Sequence, residues 1–170
     1  VSEYSRRALT FGFRRTARHK VSVVYHGVDE VYLTPDNRAR KSYLRAVSDI
    51  YVQKNFHTLI QALAIARRRC PDLNLKVAGR RIDEGYFQEV AESIRRNGLE
   101  DSVEFLGPLS KESLRQHYLD CAVFVFPSTI ETFGHPLVEA MASGAPVASS
   151  NRTAMPEILG DAGQFFDPLD

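Results

Sequence analysis

Cysteine is scarce in this sequence: Cys70 and Cys121 are the only two among 170 residues. Neither has a partner at metal-ligand spacing, which excludes a cysteine-built metal site, and both read as small apolar residues of a reducing compartment. Long apolar runs are missing as well. Nothing approaches the roughly 18–20 residues needed to cross a bilayer, and the N-terminus lacks the basic, apolar and small-residue order of a secretory signal. An excess of one charge sign is also absent. The 22 Lys and Arg nearly balance the 21 Asp and Glu, leaving no global argument for nucleic acid as a partner. There is no carboxylate or histidine cluster suited to a metal, no internal repeat and no low-complexity stretch. What remains is a chain of single-domain length, 44% hydrophobic and 25% charged, able to bury a core and expected in the cytoplasm. One local imbalance stands out. Arg6, Arg7, Arg14, Arg15, Arg18 and Lys20 crowd the first twenty residues, where Glu3 is the only acid. They form a solvated helix face or a contact for an anionic membrane surface or acidic partner.

The hydrophobic pattern predicts a short helix within the first eighteen residues and a strand at VSVVY, 21–25, stopped by His26-Gly27-Val28-Asp29. A polar linker follows at 34–42. From there strand and helix alternate. Strands are predicted at 43–47, 73–78, 102–106 and 122–126, with a short one near 146–149. Helices are predicted at 55–69, 84–97 and 111–120, then from Pro136 to Gly144 and near 154–159. The continuous apolar run AVFVF at 122–126 marks a strand covered on both faces. Such a rhythm implies parallel strands, right-handed crossovers and helices on both faces, a Rossmann-like three-layer α/β sandwich. Ligands of such sheets sit beyond the carboxyl ends of the strands, so the loops 48–54, 79–83, 107–110, 127–135 and 149–153 are where a site belongs.

The most informative loop is PSTIETFGHPLVEAMASG, 127–144. It leaves the most apolar strand and feeds a helix whose first position is Pro136 and whose stop is Gly144. Helix N-termini present unpaired N–H groups and a partial positive charge, which suits a phosphate. Gly134 admits a ligand close to the backbone, and the donors expected to be free are the N–H groups of Phe133, Gly134, His135 and Leu137. Glu139 points away from the apolar stripe of Leu137, Val138 and Met141. It either answers the helix dipole or accepts hydrogen bonds from the vicinal hydroxyls of a ribose. Glu131, in the loop itself, is either solvated or holds the hydroxyls of a polar substrate.

At this point the residues resemble a family. ETFGHPLVE is similar to the E-x-F-G-x-x-x-x-E signature of the retaining GT-B-fold nucleotide-sugar glycosyltransferases of group 1, or family 4. YHGVDEVYLTP, VSDIYVQKN, FVFPSTIETFG and PVASSNRTAMPEILGDAG resemble that family's interdomain hinge, phosphate-lysine loop, sugar-site approach and following segment, in the family's order. The resemblance implies one half of a GT-B fold. Residues 1–20 would end the acceptor domain, 21–42 would form a hinge strand and linker, and 43–170 would be the donor-binding domain, truncated before its usual C-terminal helices. It further implies that Glu139 binds the donor ribose, Glu131 contacts the transferred sugar, and Lys54 supplies charge to the diphosphate. The backbone from Phe133 through Gly134 and His135 to Leu137 would hold phosphates and sugar, and Leu106, Gly107 and Leu109 would lie against the base. A metal cofactor is not required on this account. The partners implied are a nucleoside-diphosphate sugar and the missing acceptor domain.

One position departs from the pattern. Many relatives carry a second phosphate-clamping arginine where Asp49 aligns here, so Arg45, Arg80 or Arg81 is expected to substitute, with Asp49 turned away or paired with Lys54. His135 has no fixed catalytic role in the family. Three other classes can be weighed. A nicotinamide-dependent dehydrogenase wants G-x-G-x-x-G after the first strand, and VSDIYVQKN has no glycine. A non-catalytic nucleotide-sugar-binding domain and a GT-B epimerase share the fold, and the intact pair of Glu131 and Glu139 weighs against the first of these two.

Overall fold

The computed structural model describes residues 1–12, 21–33 and 39–170. Its centre is a six-stranded, wholly parallel sheet. The strands are β1 (Lys41–Val47), β2 (Asn74–Ala78), β3 (Val103–Phe105), β4 (Cys121–Phe126), β5 (Val147–Ser150) and β6 (Gln164–Phe166), in the spatial order β3-β2-β1-β4-β5-β6. β6 arises from GQFFD, a stretch whose structure the hydrophobic pattern leaves unassigned, and β1 begins two residues earlier than that pattern indicates.

The helices sort by handedness. α2 (Phe56–Arg67) and α3 (Glu84–Arg96) pack one face through Phe56, Leu59, Ile60, Leu63, Tyr86, Phe87 and Val90, against Ala46, Leu75 and Val77 of the sheet. α4 (Lys111–Asp120) carries the chain back across the sheet to β4. With α5 (His135–Ala142) and α6 (Met155–Leu159) it covers the other face, where Tyr118, Leu137, Ala140, Met155 and Leu159 meet Tyr43, Val47 and Phe124. Each βαβ crossover is right-handed by the usual rule, so the reversal at β4 forces the change of face. Asp83 and Ser110 cap α3 and α4 with side-chain oxygens, as a helix start in a loop requires.

The expected strand at 21–25 does not form. α1 (Glu3–Gly12) is helical, but 21–29 runs without ladder partners, and Val24 is largely exposed. The β-branched run favours an extended backbone, yet a strand also needs a free sheet edge. The two edges are β3 and β6, and the segment lies instead beside α1, where the Val1 ammonium donates to the Val24 carbonyl at 3.0 Å. The polar linker predicted at 34–42 falls mostly outside the described residues, and its last two residues belong to β1. Among the described residues no helix is long and apolar enough to cross a membrane.

The ligand edge is drawn tight by Gly79, at φ +147, which lets the loop after β2 touch the loop after β1. A Cβ there would lie 1.9 Å from the Ser48 carbonyl oxygen. Gly79→Ala is therefore expected to lower unfolding stability by more than about 2 kcal/mol. Gly27→Ala, with nothing within 4 Å of the added atom, should change it by less than about 0.5 kcal/mol. Urea unfolding of both variants decides; equal, small effects would contradict the contact.

Candidate functional site

The strand order reverses between β1 and β4, and the loops leaving these two strands meet beyond their carboxyl ends, where sheets of this kind take their ligands. Three contacts hold them together. Thr129 donates to the Gln53 carbonyl through its N–H at 2.9 Å and its hydroxyl at 3.2 Å. Asn55, buried in the left-handed conformation at φ 56, donates through Nδ2 to the carbonyls of Pro127 at 3.2 Å and Pro168 at 2.8 Å. Lys54 Nζ lies 2.5 Å from Glu131 Oε1, with the two side chains only 11% and 13% exposed. The loop after β5 joins in, because the Thr153 hydroxyl accepts the N–H of Glu131 at 3.0 Å.

Lys54 thus has the second reason for standing at a helix start that its sequence position demands. Its ammonium is 6.0 Å from the centre of the Phe126 ring. The same ring limits Gly134: at φ 85, a Cβ on that glycine would sit 3.1 Å from Phe126 Cε1. The cation and the glycine loop therefore converge over one aromatic side chain. Among the described residues, the N–H groups of Phe133, Gly134 and His135 have no hydrogen-bond partner and stand at the start of α5. Leu137, expected to offer a fourth donor, does not; its N–H is spent on the Gly134 carbonyl at 3.0 Å, because the left-handed glycine turns its carbonyl into the first helical turn.

Glu139 projects from α5 beside α4, and its Oε2 accepts the hydroxyl of buried Tyr118 at 3.0 Å. Burial pushes its pKa up from 4.5, outweighing the Tyr118 hydrogen bond, which acts the other way. The carboxylate is thus held where its charge is uncomfortable, with one oxygen committed and the other available.

A cavity of about 420 Å³ lies along the same edge, between the loops after β1, β2 and β3. Leu106, Gly107 and Pro108 line one side, and Ile50, Arg80 and Arg81 the other. Leu109 does not line this cavity; it is partly buried against the core cluster that includes Tyr118 and Phe124. The arginines separate into three situations. Arg45 is fully buried in mid-strand on the α4 face, away from the ligand edge, and burial draws its pKa down to about 10. Arg81 lays its guanidinium over the Phe87 ring at 3.9 Å. Arg80 takes Asp49: its backbone N–H and its guanidinium reach the carboxylate at 2.9 and 2.7 Å. Arg80 holds the Asp49 carboxyl below the usual range. Asp49 therefore pairs with Arg80 and not with Lys54, which Glu131 already occupies, and its repulsion of an anion is cancelled locally.

Sequence reasoning passed over Tyr118, Asn55, Thr153 and His26. His26 Nδ1 lies 2.8 Å from His135 Nε2. No local signal marks these residues except the unusual Lys-Asn ending of the loop before α2. Among the described residues no group of three or more His, Cys, Asp or Glu could hold a metal ion. The basic residues Arg14, Arg15, Arg18 and Lys20 lie outside the described residues.

This assembly can be compared with known proteins. The model of the family "Glycosyl transferases group 1" matches residues 36–168. An O-antigen chain mannosyltransferase B of Escherichia coli is 35% identical over 137 residues, covering 78% of this chain and 34% of that protein. O-antigen chain mannosyltransferase RfbU of Salmonella typhimurium is 29% identical over 151 residues, 89% of this chain and 41% of that protein. The crystal structure of Alr3699/HepE from Anabaena in complex with UDP and glucose superimposes with a TM-score of 0.82 at 25% identity, covering 98% of this chain and 48% of that one. A glycosyltransferase of Rickettsia africae shares the fold, with a TM-score of 0.88 at 19% identity over all of this chain and 48% of that one. The chain thus spans less than half the length of these relatives.

The Glu139 environment yields a test. A carboxyl whose pKa is raised on folding binds its proton more tightly in the native state, so stability is lost as pH rises from the unfolded value through the raised one. Glu139→Gln keeps an acceptor for Tyr118 and removes the charge. It should be more stable than the unchanged protein at pH 7, with the advantage shrinking at pH 4; paired urea titrations at the two pH values measure it, and an advantage independent of pH would contradict the assignment.

Proposed function

The chain belongs to the glycosyl transferases of group 1, and from that premise we propose that it is the donor half of a longer, retaining enzyme of family 4. That enzyme moves a hexose, mannose being the first to try, from a nucleoside diphosphate to a hydroxyl acceptor. On this reading 43–170 bind the donor, 21–42 are the hinge, and 1–20 close the acceptor half. The observation that carries it is that Lys54, paired with Glu131, and Gly134, between Phe133 and His135 at the start of α5, border the same Phe126 ring where the strand order reverses.

The roles follow from chemistry. As the glycosidic bond breaks, negative charge grows on the departing diphosphate. A nearby ammonium and preset amide dipoles stabilise that charge more than the ground state, which is what lowers a barrier. Lys54, released from Glu131 by the phosphates, supplies the cation. Glu131, released in turn, takes hydroxyls of the transferred sugar. The open oxygen of Glu139 accepts from the ribose, and the base lies in the cavity beside Leu106 and Gly107. The reading assigns no metal, since Lys54 and the amides meet the charge. Alone, the chain binds donor but transfers little, because acceptor and cleft closure are missing. The relatives' O-antigen chains make a cell-surface polysaccharide or glycolipid the expected product class, built at the cytoplasmic face of a membrane that the basic N-terminal segment would touch.

Calorimetric titration with UDP, GDP, ADP and dTDP, and with their sugars, tests the site. One nucleotide should bind more tightly than millimolar, and Glu139→Ala should weaken it about tenfold or more, or roughly 1.4 kcal/mol. Failure of every nucleotide, or indifference to Glu139→Ala, defeats the proposal. In the longer enzyme, Glu131→Ala should depress transfer at least about a hundredfold while changing nucleoside-diphosphate affinity by less than about tenfold. Equal losses in the two assays would place Glu131 elsewhere.

A further inference from the structure

Two exposed histidine side chains without a role in the reading above meet beside the glycine loop. His26 Nδ1 and His135 Nε2 are 2.8 Å apart, with ring centroids at 4.8 Å and an interplanar angle of 61°. His26 also stacks on Phe133, centroids 5.0 Å apart at 28°. The segment 21–29 is thereby joined to the first residue of α5 and to Phe133 before it.

A hydrogen bond between two imidazole nitrogens constrains the proton count. One ring must donate and the other accept, so the pair is neutral or carries a single positive charge; a second charge leaves no acceptor. The start of α5 presents the positive end of its dipole beside this pair. The other charged groups of the neighbourhood are Glu139 further along α5, Asp29 on the segment of His26 with its partner Lys111 on α4, Glu157 on α6, which accepts the Tyr25 hydroxyl, the Val1 ammonium on the Val24 carbonyl, and the ion pair of Glu3 and Arg6 on α1. A diphosphate on the amides of Phe133, Gly134 and His135 would add negative charge beside the pair.

We infer that the His26–His135 pair takes up one proton when a nucleoside-diphosphate sugar docks on this loop, which makes His26 a positioning residue for the donor phosphates. The inference rests on the donor-site reading. The proton comes from the buffer and stays on the pair. One ring, now imidazolium, donates to the lone pair of the other, and this charge-assisted bond holds the segment 21–29 to the loop more firmly than the neutral one.

Calorimetry of UDP-glucose and GDP-mannose at pH 7, in PIPES and in Tris, tests it. Both phosphates of these donors are esterified, so a proton taken up near neutrality belongs to the protein. The apparent enthalpy should vary with the ionisation enthalpy of the buffer with a slope of about half to one proton gained. The slope should fall by at least half in His26→Gln or His135→Gln and vanish in the double variant, with affinity reduced two- to tenfold by about the loss of one charge. Binding with no buffer dependence overturns this inference and leaves the donor site standing. A slope unchanged in both variants also overturns it, assigning the proton to another group such as Glu139. If neither sugar binds in any buffer, the donor reading falls and takes this inference with it.

Discussion

The ion pair between Lys54 and Glu131 bridges the place where the sheet changes direction. Strands β1 and β4 are neighbours in the sheet, yet their following helices go to opposite faces, so the two loops have every reason to part. The amide of Asn55 and the double bond of Thr129 to Gln53 fix the backbones; the ion pair fixes the chemistry. Burying two charges at about one-tenth exposure is costly unless each satisfies the other. That cost ties the two side chains to each other and, through them, the loop after β1 to the loop after β4. The glycine loop and the start of α5 are registered to the same point through Phe126.

Glu139 shows the complementary arrangement. It is not stabilised where it stands: burial raises its pKa, and Tyr118 recovers only part of the cost. Groups held against their own preference are characteristic of places shaped for a ligand and not for stability. Asp49 illustrates the opposite treatment, since an acid that would repel a phosphate has Arg80 as its ion-pair partner at the edge of the cavity.

The elements legible in the sequence are those whose pattern is local. Helices α2 and α3 have clean 3.6-residue apolar stripes, and β4 is continuously apolar because helices cover both its faces. The segment 21–25 misleads because extended preference is local while a strand partner is not. β6 was unassigned for the same reason, being three residues long and dependent on β5. At the site, Glu131, Glu139, Lys54 and Gly134 can be singled out because their residue types are odd for their positions. Tyr118, the Arg80 partner of Asp49 and the pairing of His26 with His135 are contacts between residues 21, 31 and 109 positions apart, and nothing in a short window records them.

The first turn of α1 has no buried side chain of its own within the helix, yet it is anchored at both ends of its docking. Ser2 donates to the Thr132 carbonyl at 2.6 Å, and Glu157 receives the N–H groups of Glu3 and Tyr4 at 2.6 and 3.0 Å. Thr132 is the residue between Glu131 and Phe133. Whatever shifts α1 therefore pulls on the residue that separates Glu131 from Phe133, and thermodynamic reciprocity works in both directions. If undocking α1 weakens a ligand of the loop by some factor, that ligand must strengthen the docking of α1 by the same factor. A helix that adds almost nothing to the core can in this way report to one side of the molecule what is bound on the other.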